Sequence, residues 1–203
     1  MALTITIIII IITCLVSIIA FSNEKTVNDL IFYPARMKGG REMHRLITHG
    51  FIHADFIHLF VNMLTLYFFG TAAEMLVFTK AQFIILYITA IPAASLFDLF
   101  KQKDNYNYRS LGASGAVSAV LFSTIILDPW IKGVCLYGAL CLPNILFGIL
   151  YILYSAYMSK KGRDNVGHNA HLWGAIYGFA FTAIVRPDLL KNFLEKLMHP
   201  SFG

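Results

Sequence analysis

The chain has 203 residues, of which 58% are hydrophobic and 13% are charged, and its mean hydropathy is +0.67. This composition excludes a soluble domain of average residue usage and is typical of an integral membrane protein embedded in the lipid bilayer. The net charge of +5 is spread over loops between apolar runs. Nucleic acid is excluded as a partner because it would need a basic face, whereas a role at the membrane surface explains the charge.

No linker rich in Ser, Pro or Gly interrupts the chain, so we expect a single membrane domain over residues 1–203. The three cysteines, Cys14, Cys135 and Cys141, fall inside apolar segments and have no CxxC spacing. They predict neither a disulfide framework nor a zinc site, and we expect no metal and no cofactor.

Six apolar runs follow one another along the chain. The first is Ile-rich, lacks a basic start and exceeds the roughly 7–15 apolar residues of a signal peptide, so we interpret it as a membrane span. The fourth has about 16 residues. At ~1.5 Å per residue it covers about 24 Å, so its first turn should begin below the membrane surface. The predicted spans are residues 2–21, 57–79, 83–100, 112–127, 134–158 and 168–185.

Polar residues collect at the starts of the even-numbered spans, which all begin on the same face of the membrane. His58 and Asn62 lie near the start of the second span, Ser114 near that of the fourth, and His168 and His171 near that of the sixth. Strongly polar groups at one membrane depth are functional candidates because lipid offers them no partner.

Ser114 stands among small residues, a pattern that by itself favours a packing face between helices. Gly174 and Gly178 form a GxxxG motif one turn beyond His171, which also predicts close helix contact. Contact between the fourth and sixth spans would bring Ser114 within reach of His171. A serine hydroxyl becomes a useful nucleophile only when a nearby base takes its proton, so this pairing suits acyl transfer.

His58 and Asn62 are four residues apart, so they share a helix face and can both donate hydrogen bonds toward one point. Polar contact between helices is one interpretation of this pair. The other is that the pair stabilises an oxyanion, which is the third part of an acyl-transfer site.

Other ionisable residues in or near the apolar spans are expected to be structural. Glu74 lies at least two turns beyond Asn62 in the second span, so we predict a hydrogen-bonding partner near the opposite face. Four further histidines fall in loops or at the interface and are expected to be structural or exposed: His44, His49, His53 and His199.

Three motifs occur in a characteristic order and spacing: HxxxN at residues 58–62, GxSG at residues 112–115 and AHxxGxxxG at residues 170–178. On these motifs the chain resembles the rhomboid family of intramembrane serine proteases. The resemblance covers about residues 45–178. It implies an all-α membrane protein, a six-transmembrane-helix bundle with a submerged polar active-site cavity, and a serine–histidine dyad without a third acid.

The resemblance also implies roles for single residues. Ser114 would be the nucleophile and His171 the general base that later protonates the leaving amine. The Ser114 backbone N–H, His58 and Asn62 would hold the oxyanion. Substrates would be transmembrane protein segments whose ends unwind, because a helix hides its carbonyl groups in internal hydrogen bonds. Four glycines would pack the helices of the site: Gly112, Gly115, Gly174 and Gly178.

The sequence departs from the family pattern at two positions. Many rhomboids have an aromatic residue one turn after the nucleophile that stacks on the catalytic histidine, and this chain has Ser118 there. The ring of His171 must therefore be oriented by another residue. The family's first loop often has Trp before its Arg, and His44 precedes Arg45 here.

The orientation in the membrane is predicted differently by charge and by resemblance. Most Lys and Arg residues lie on the side of the proposed site, which by the positive-inside rule places that side in the cytoplasm. The resemblance implies a bacterial-type cell membrane with the active-site face outward, and we favour the latter because ordered loops can retain basic residues for structural reasons.

Three alternative functions belong to other classes. A catalytically inactive rhomboid-like binding protein should lack the nucleophile or the base, and both Ser114 and His171 are present. A small transporter should show an inverted repeat or paired broken helices, and neither is apparent. A metalloprotease would need an HExxH helix, which the sequence lacks. The sequence leaves the oligomeric state open.

Overall fold

A computed structural model of the chain describes residues 3–131, 134–136, 140–161 and 167–199. This part of the chain is helical apart from one small hairpin. The helices are α1 (Ile5–Phe21), α2 (Glu24–Leu30), α3 (Arg45–Thr48), α4 (Phe56–Leu76), α5 (Lys80–Lys101), α6 (Ser114–Ile125), α7 (Asn144–Lys161), α8 (His168–Val185) and α9 (Pro187–Met198). Strands β1 (Val134–Leu136) and β2 (Leu140–Leu142) pair antiparallel.

The all-helical class is confirmed for the described residues, with the hairpin as its exception. Among the residues that the structure describes, two helices, α4 and α5, are long and apolar enough to cross a membrane. Apolar helices of 10–17 residues occupy Ile5–Phe21, Ser114–Ile125 and Asn144–Ser159. The count of six spans stays a prediction.

The predicted fifth span, residues 134–158, was wrong at its start. Residues 134–136 and 140–142 form the hairpin, and α7 begins at Asn144 and continues to Lys161. Pro143 disfavours the helical conformation at the residue before it, so the helix cannot extend back through this position without strain. An apolar run alone does not distinguish a strand from a buried helix, which is why the sequence pattern missed this boundary.

The predicted sixth span coincides with α8, whereas the first four shift by a few residues at one or both ends, and capping residues explain two of these shifts. The Thr4 side chain accepts a hydrogen bond from the N–H of Ile7, which starts α1 at Ile5. Thr79 and Gln82 form a capping box that starts α5 at Lys80, inside the segment predicted to be a break.

Helix α6 lies in the centre of the fold. Every residue from 115 to 125 is buried, and the helix packs on α4, α5, α7 and most extensively on α8. A Cβ on Gly178 would stand 2.5 Å from the carbonyl carbon of Ala119, so the backbones of α6 and α8 touch there. Small residues on both helices permit this approach, which places the starts of α6 and α8 side by side.

Glu74 attaches α1 to the end of α4. Its carboxylate accepts hydrogen bonds from the backbone N–H groups of Ile5 and Thr6 and from the Thr6 hydroxyl, each at 2.9 Å. The first N–H groups of a helix have no intrahelical acceptor, and a carboxylate satisfies both their hydrogen bonds and the helix dipole. The prediction of a structural role for Glu74 is confirmed.

Candidate active site

Ser114 is the first residue of α6, directly after a turn that only glycine accommodates well. Gly112 has a φ of 118°. A Cβ on it would stand 2.7 Å from Cε1 of His58, so a side chain there would both strain the backbone and strike the ring. The N–H of Ser114 has no acceptor within its helix, because helix starts leave these groups unpaired. It is therefore available to a ligand in front of Ser114.

The contact between α6 and α8 brings the residues next to Ser114 and His171 together. A Cβ on Gly115 would lie 3.4 Å from the carbonyl oxygen of Ala170, the residue before His171. A Cβ on Gly174 would stand 2.9 Å from the carbonyl carbon of Gly115 and closer still to its oxygen. The helix starts that carry the predicted nucleophile and base are thus in backbone contact.

One cavity of about 1340 Å³ is lined by all four predicted catalytic and oxyanion residues: Ser114, His171, His58 and Asn62. Its walls come from α4, α5, α6, α7, α8 and the loop before α6. Ser114 and His171 are half-buried. The cavity is large enough for an extended peptide segment and for water beside it.

Asn62 is buried on α4, and its side-chain amide donates a hydrogen bond of 2.9 Å to the carbonyl oxygen of His58. This bond uses one of the two amide hydrogens and holds the side chain toward the start of the helix. The second hydrogen remains for a group in the cavity. Asp55 caps the same helix start by accepting the N–H of His58 at 2.7 Å.

Two histidines expected to be structural or exposed are buried and hold the chain that leads to Ser114. The carbonyl oxygen of His49 accepts the N–H of Gly112 at 2.9 Å. The ring of His53 accepts the N–H of Ala113 at Nε2, at 3.3 Å. The sequence does not indicate these partners, because Ala113 lies 60 residues from His53 along the chain.

The tautomer of His53 follows from its partners. Because Nε2 accepts the Ala113 N–H, the proton sits on Nδ1, which donates to the Ser17 hydroxyl at 3.0 Å. That hydroxyl in turn donates to the carbonyl oxygen of Phe51 at 3.0 Å. The His53 ring also lies edge-on to His58, with centroids 5.0 Å apart. Burial lowers the pKa of His53 to about 3, which keeps it in this neutral form.

His49 is also fixed as a neutral tautomer. Its Nδ1 donates to the carbonyl oxygen of Arg45 at 2.7 Å, and its Nε2 accepts the Ser95 hydroxyl at 3.0 Å. Burial lowers the pKa of His49 to about 4. His49 therefore connects α3 to α5 behind the turn at Gly112.

A polar network at the cavity mouth holds the start of α8. The two carboxylate oxygens of buried Asp98 accept the side-chain amide of Asn169 at 2.7 Å and the hydroxyl of Tyr108 at 2.9 Å. The hydroxyl of Ser159, near the end of α7, donates to the same Asn169. Asn169 is two residues before His171, so the network fixes the turn of α8 that carries the predicted base.

The rings of Tyr151 and His168 contact the ring of His171. Tyr151 of α7 stacks on it with centroids 6.3 Å apart and planes 29° apart. His168 meets it edge-on, at 5.9 Å and 76°. The hydroxyl of Tyr151 is 2.6 Å from that of Ser118, the residue that departs from the family pattern.

Within the part of the chain that the structure describes, no group of three or more His, Cys, Asp and Glu side chains is arranged to hold a metal ion.

Comparison with known proteins identifies the family of the chain. Residues 40–188 match the family model of the rhomboid domain. The chain is 31% identical over 171 residues to the RHOMBOID-like protein 12, mitochondrial, of Arabidopsis thaliana, covering 76% of this chain and 50% of that protein. It is 25% identical over 173 residues to the Rhomboid protease GlpG of Haemophilus influenzae, covering 85% of this chain and 84% of the relative.

The chain spans about half the length of the Arabidopsis relative. The match to the rhomboid domain, together with the apolar helices, indicates an integral membrane protein. Because the family model matches well over half of the chain, and the predicted motifs lie inside the matched region, the resemblance is confirmed: this chain belongs to the rhomboid family.

Proposed function

We propose that this protein is an intramembrane serine endopeptidase that cleaves transmembrane or membrane-proximal segments of membrane proteins. The observation that carries the proposal is the single cavity lined by Ser114, His171, His58 and Asn62. These residues come from three helices that are distant in sequence. Nucleophile, base and oxyanion donors are the three parts of an acyl-transfer site.

In the proposed reaction His171 takes the proton of the Ser114 hydroxyl as its oxygen attacks the scissile carbonyl. The resulting oxyanion accepts hydrogen bonds from the Ser114 N–H, His58 and Asn62. The carbon–nitrogen bond then breaks, and His171 gives its proton to the leaving amine. A water molecule, deprotonated by His171, attacks the acyl-enzyme and restores the Ser114 hydroxyl.

The substrate must reach the cavity as an extended segment, because helical carbonyl groups are already hydrogen-bonded. The cavity walls include Val61 and Thr65 of α4 and Phe147 and Met158 of α7. We propose that a transmembrane segment with an unwound end lies between these walls. Glycine or proline near the cleavage site should favour cleavage because such residues weaken the helix.

The deciding experiment is cleavage of a model transmembrane substrate by purified protein in detergent, together with labelling by a fluorophosphonate. Ser114→Ala should abolish both, since it removes the oxygen that forms the acyl-enzyme. Ser123→Ala is the matched control on the same helix, because the Ser123 hydroxyl donates a hydrogen bond of 2.6 Å within its own helix, to the carbonyl oxygen of Val120. It should retain both signals.

If wild-type protein and Ser114→Ala behave alike, or if wild type fails to label, the protease proposal is wrong. Capture of a membrane-protein substrate without any cleavage would instead support the inactive, binding-only alternative.

We propose further that the cavity opens on the outer side of the membrane. Several basic residues on the cavity side of the protein have structural partners, so their presence there does not require that side to face the cytoplasm. Buried Arg45 donates to the carbonyl oxygens of Asn28 and Ile31 at 2.7 and 2.9 Å. Arg36 and Arg109 lie over the ring of Tyr33, 5.2 and 4.9 Å from its centroid.

The two relatives favour neither compartment, since one is named mitochondrial and the other comes from a bacterium. Labelling of single cysteines in the loop before α3, in intact cells with a membrane-impermeant reagent, tests the orientation. Labelling without permeabilisation supports the outward face, and labelling only after permeabilisation overturns it.

A further inference from the structure

The residue one helical turn after Ser114 is Ser118, whose side chain is too small to contact a neighbouring imidazole broadly. The contact to His171 comes instead from α7. The Tyr151 ring is stacked on His171, and the Tyr151 hydroxyl is within hydrogen-bond distance of the Ser118 hydroxyl. Three helices therefore meet at one side chain: α6 through Ser118, α7 through Tyr151 and α8 through His171.

We propose that Tyr151 is the positioning residue of the catalytic base, and that Ser118 holds the tyrosine ring in the stacked orientation. This inference rests on the proposed function, since it concerns the geometry of His171 in proton transfer. It gives α7 a role in the chemistry, although no residue of α7 belongs to any of the three sequence motifs.

The Tyr151 ring is held on several sides, as a positioning residue must be. Phe122 of α6 and Phe147 of α7 contact it with centroids 5.4 and 5.8 Å away. The bond to Ser118 fixes the position of the hydroxyl, and the contacts with the two phenylalanine rings restrict rotation of the tyrosine ring about its long axis. Aromatic pairs of this kind contribute about 0.5–1.5 kcal/mol beyond the area they bury.

His168 cannot take over this task alone. It lies on α8, three residues before His171, and contacts its ring edge-on. Because both histidines belong to one helix, their contact moves with α8 and does not relate the base to Ser114 on α6. Tyr151 does relate them, since it contacts His171 through its face and α6 through its hydroxyl.

Ser118 and Tyr151 also fit one another in size. Tyr151 lines the same cavity as Ser114, and the small side chain at position 118 leaves room for its ring. A bulky residue at 118 would compete with the tyrosine for this space. The pair therefore acts as one unit, in which the loss of either hydroxyl should have the same effect as the loss of both.

The test compares the full-length variants Tyr151→Leu, Tyr151→Phe, Ser118→Ala and Tyr151→Phe/Ser118→Ala in detergent. Fluorophosphonate labelling rates and the kcat and KM of substrate cleavage are measured, with melting temperatures alongside. Tyr151→Leu should lower the labelling rate and kcat by about 10- to 100-fold and leave KM within about threefold, because misplacement of a catalytic group by about 1 Å costs of this order.

Tyr151→Phe keeps the stacked ring and should lose no more than about fivefold, since it removes only the single hydrogen bond to Ser118. Ser118→Ala should lose the same factor, and the double variant should lose no more than either, because coupled residues are not additive. Tyr157→Leu is the matched control: this tyrosine is on the same helix and its side chain is exposed. It should label at the wild-type rate.

A wild-type labelling rate in Tyr151→Leu would overturn the inference, and so would a defect confined to KM. If Tyr151→Leu does not fold, the comparison of the three hydroxyl variants still decides: additive losses contradict the coupled pair, and equal losses support it. A wild-type protein that neither cleaves nor labels would overturn the proposed function together with this inference. If wild type is active and Tyr151→Leu changes neither the labelling rate nor kcat, only the inference is overturned.

Discussion

The backbone of Gly115 on α6 touches Gly174 on α8, and a Cβ on Gly174 would stand 2.9 Å from the carbonyl carbon of Gly115. No side-chain movement can relieve this contact, because both partners are backbone. The same is true one turn further along, where Gly178 faces the carbonyl group of Ala119. The distance between the helices of the predicted nucleophile and base is therefore short because Gly174 and Gly178 have only a hydrogen atom where other residues have a side chain.

Gly174→Ala should separate α6 from α8 and destabilise the fold by about 3 kcal/mol or more, since overpacking against rigid backbone lies at the upper end of such costs. Fluorophosphonate labelling should be lost with it, because Ser114 and His171 would move apart. Thermal unfolding in detergent and the labelling rate measure the two effects.

Gly167→Ala is the matched control for that substitution. A Cβ at Gly167 would meet only ordinary contacts, 3.7 Å from the Cβ of Ala170 and from the Ser110 hydroxyl. Its melting temperature should stay close to that of wild type. Equal melting temperatures for the two glycine variants would show that α6 and α8 can separate freely, contrary to the packing described above.

The close approach of α6 and α8 could be predicted from the sequence because it depends on local composition. Small residues on two apolar runs suffice to indicate it, and the motifs around Ser114 and His171 identified the family. The stacking of Tyr151 on His171 could not be predicted, since twenty residues and a helix boundary separate the two. Only the packing of α7 on α8 determines which of its aromatic residues meets the imidazole.

The histidines before α4 illustrate a second limit. From the sequence alone, His53 cannot be distinguished from other polar residues of its loop, because its partners Ser17 and Ala113 lie 36 and 60 residues away. The hairpin before α7 illustrates a third, since apolar residues fit either a helix or a strand until Pro143 is considered. For Tyr151 and His53 the sequence contains the residues but not the long-range contacts that define their positions.

Glu74→Gln should destabilise the attachment of α1. The substitution removes the negative charge and turns one acceptor oxygen into an amide donor that faces the N–H groups of Ile5 and Thr6. An unpaired buried donor costs about 1–3 kcal/mol, and these donors are only partly buried, so we expect a cost at the lower end of that range. The expected drop in melting temperature is measured in detergent.

Glu195→Gln is the control for Glu74→Gln. Glu195 is exposed on α9 and faces Lys191 at 4.0 Å, a surface pair of little energetic value. Its melting temperature should match that of wild type. If Glu74→Gln is equally harmless, the three hydrogen bonds to the start of α1 do not contribute to stability.

Asn62→Ala should reduce cleavage without abolishing it. Removal of one oxyanion donor costs about 10²–10³ in kcat, while the Ser114 N–H and His58 would still donate. Cleavage of the model substrate by the purified variant, with its KM and melting temperature, measures the effect. Asn192→Ala on the exposed face of α9 is the matched control and should be fully active. Wild-type kcat in Asn62→Ala would exclude this amide from the oxyanion site.

Stability should decrease in mild acid because of the two neutral, buried histidines. Burial lowers the pKa of His49 to about 4 and of His53 to about 3, from an ordinary value of 6.5. Above pH 6.5 neither the folded nor the unfolded chain protonates them, so their full contribution is present. As the pH falls below 6.5, both histidines become protonated in the unfolded chain but stay neutral in the folded chain. This difference favours unfolding by up to about 1.4 kcal/mol per pH unit for each histidine.

The melting temperature in detergent should therefore be level above about pH 6.5 and fall steadily between about pH 6 and pH 4. Carboxylates whose pKa is lowered in the fold, such as Glu42 and Asp128, add to the loss as the pH falls through their ordinary pKa values, at the acidic end of this window and below it. His53→Gln should make the slope in this window shallower, whereas His44→Gln, at an exposed position, should leave it unchanged. A wild-type melting temperature independent of pH from 7 to 4 would mean that the rings of His49 and His53 accept protons in place, and that the hydrogen bond from Ala113 does not require a neutral imidazole.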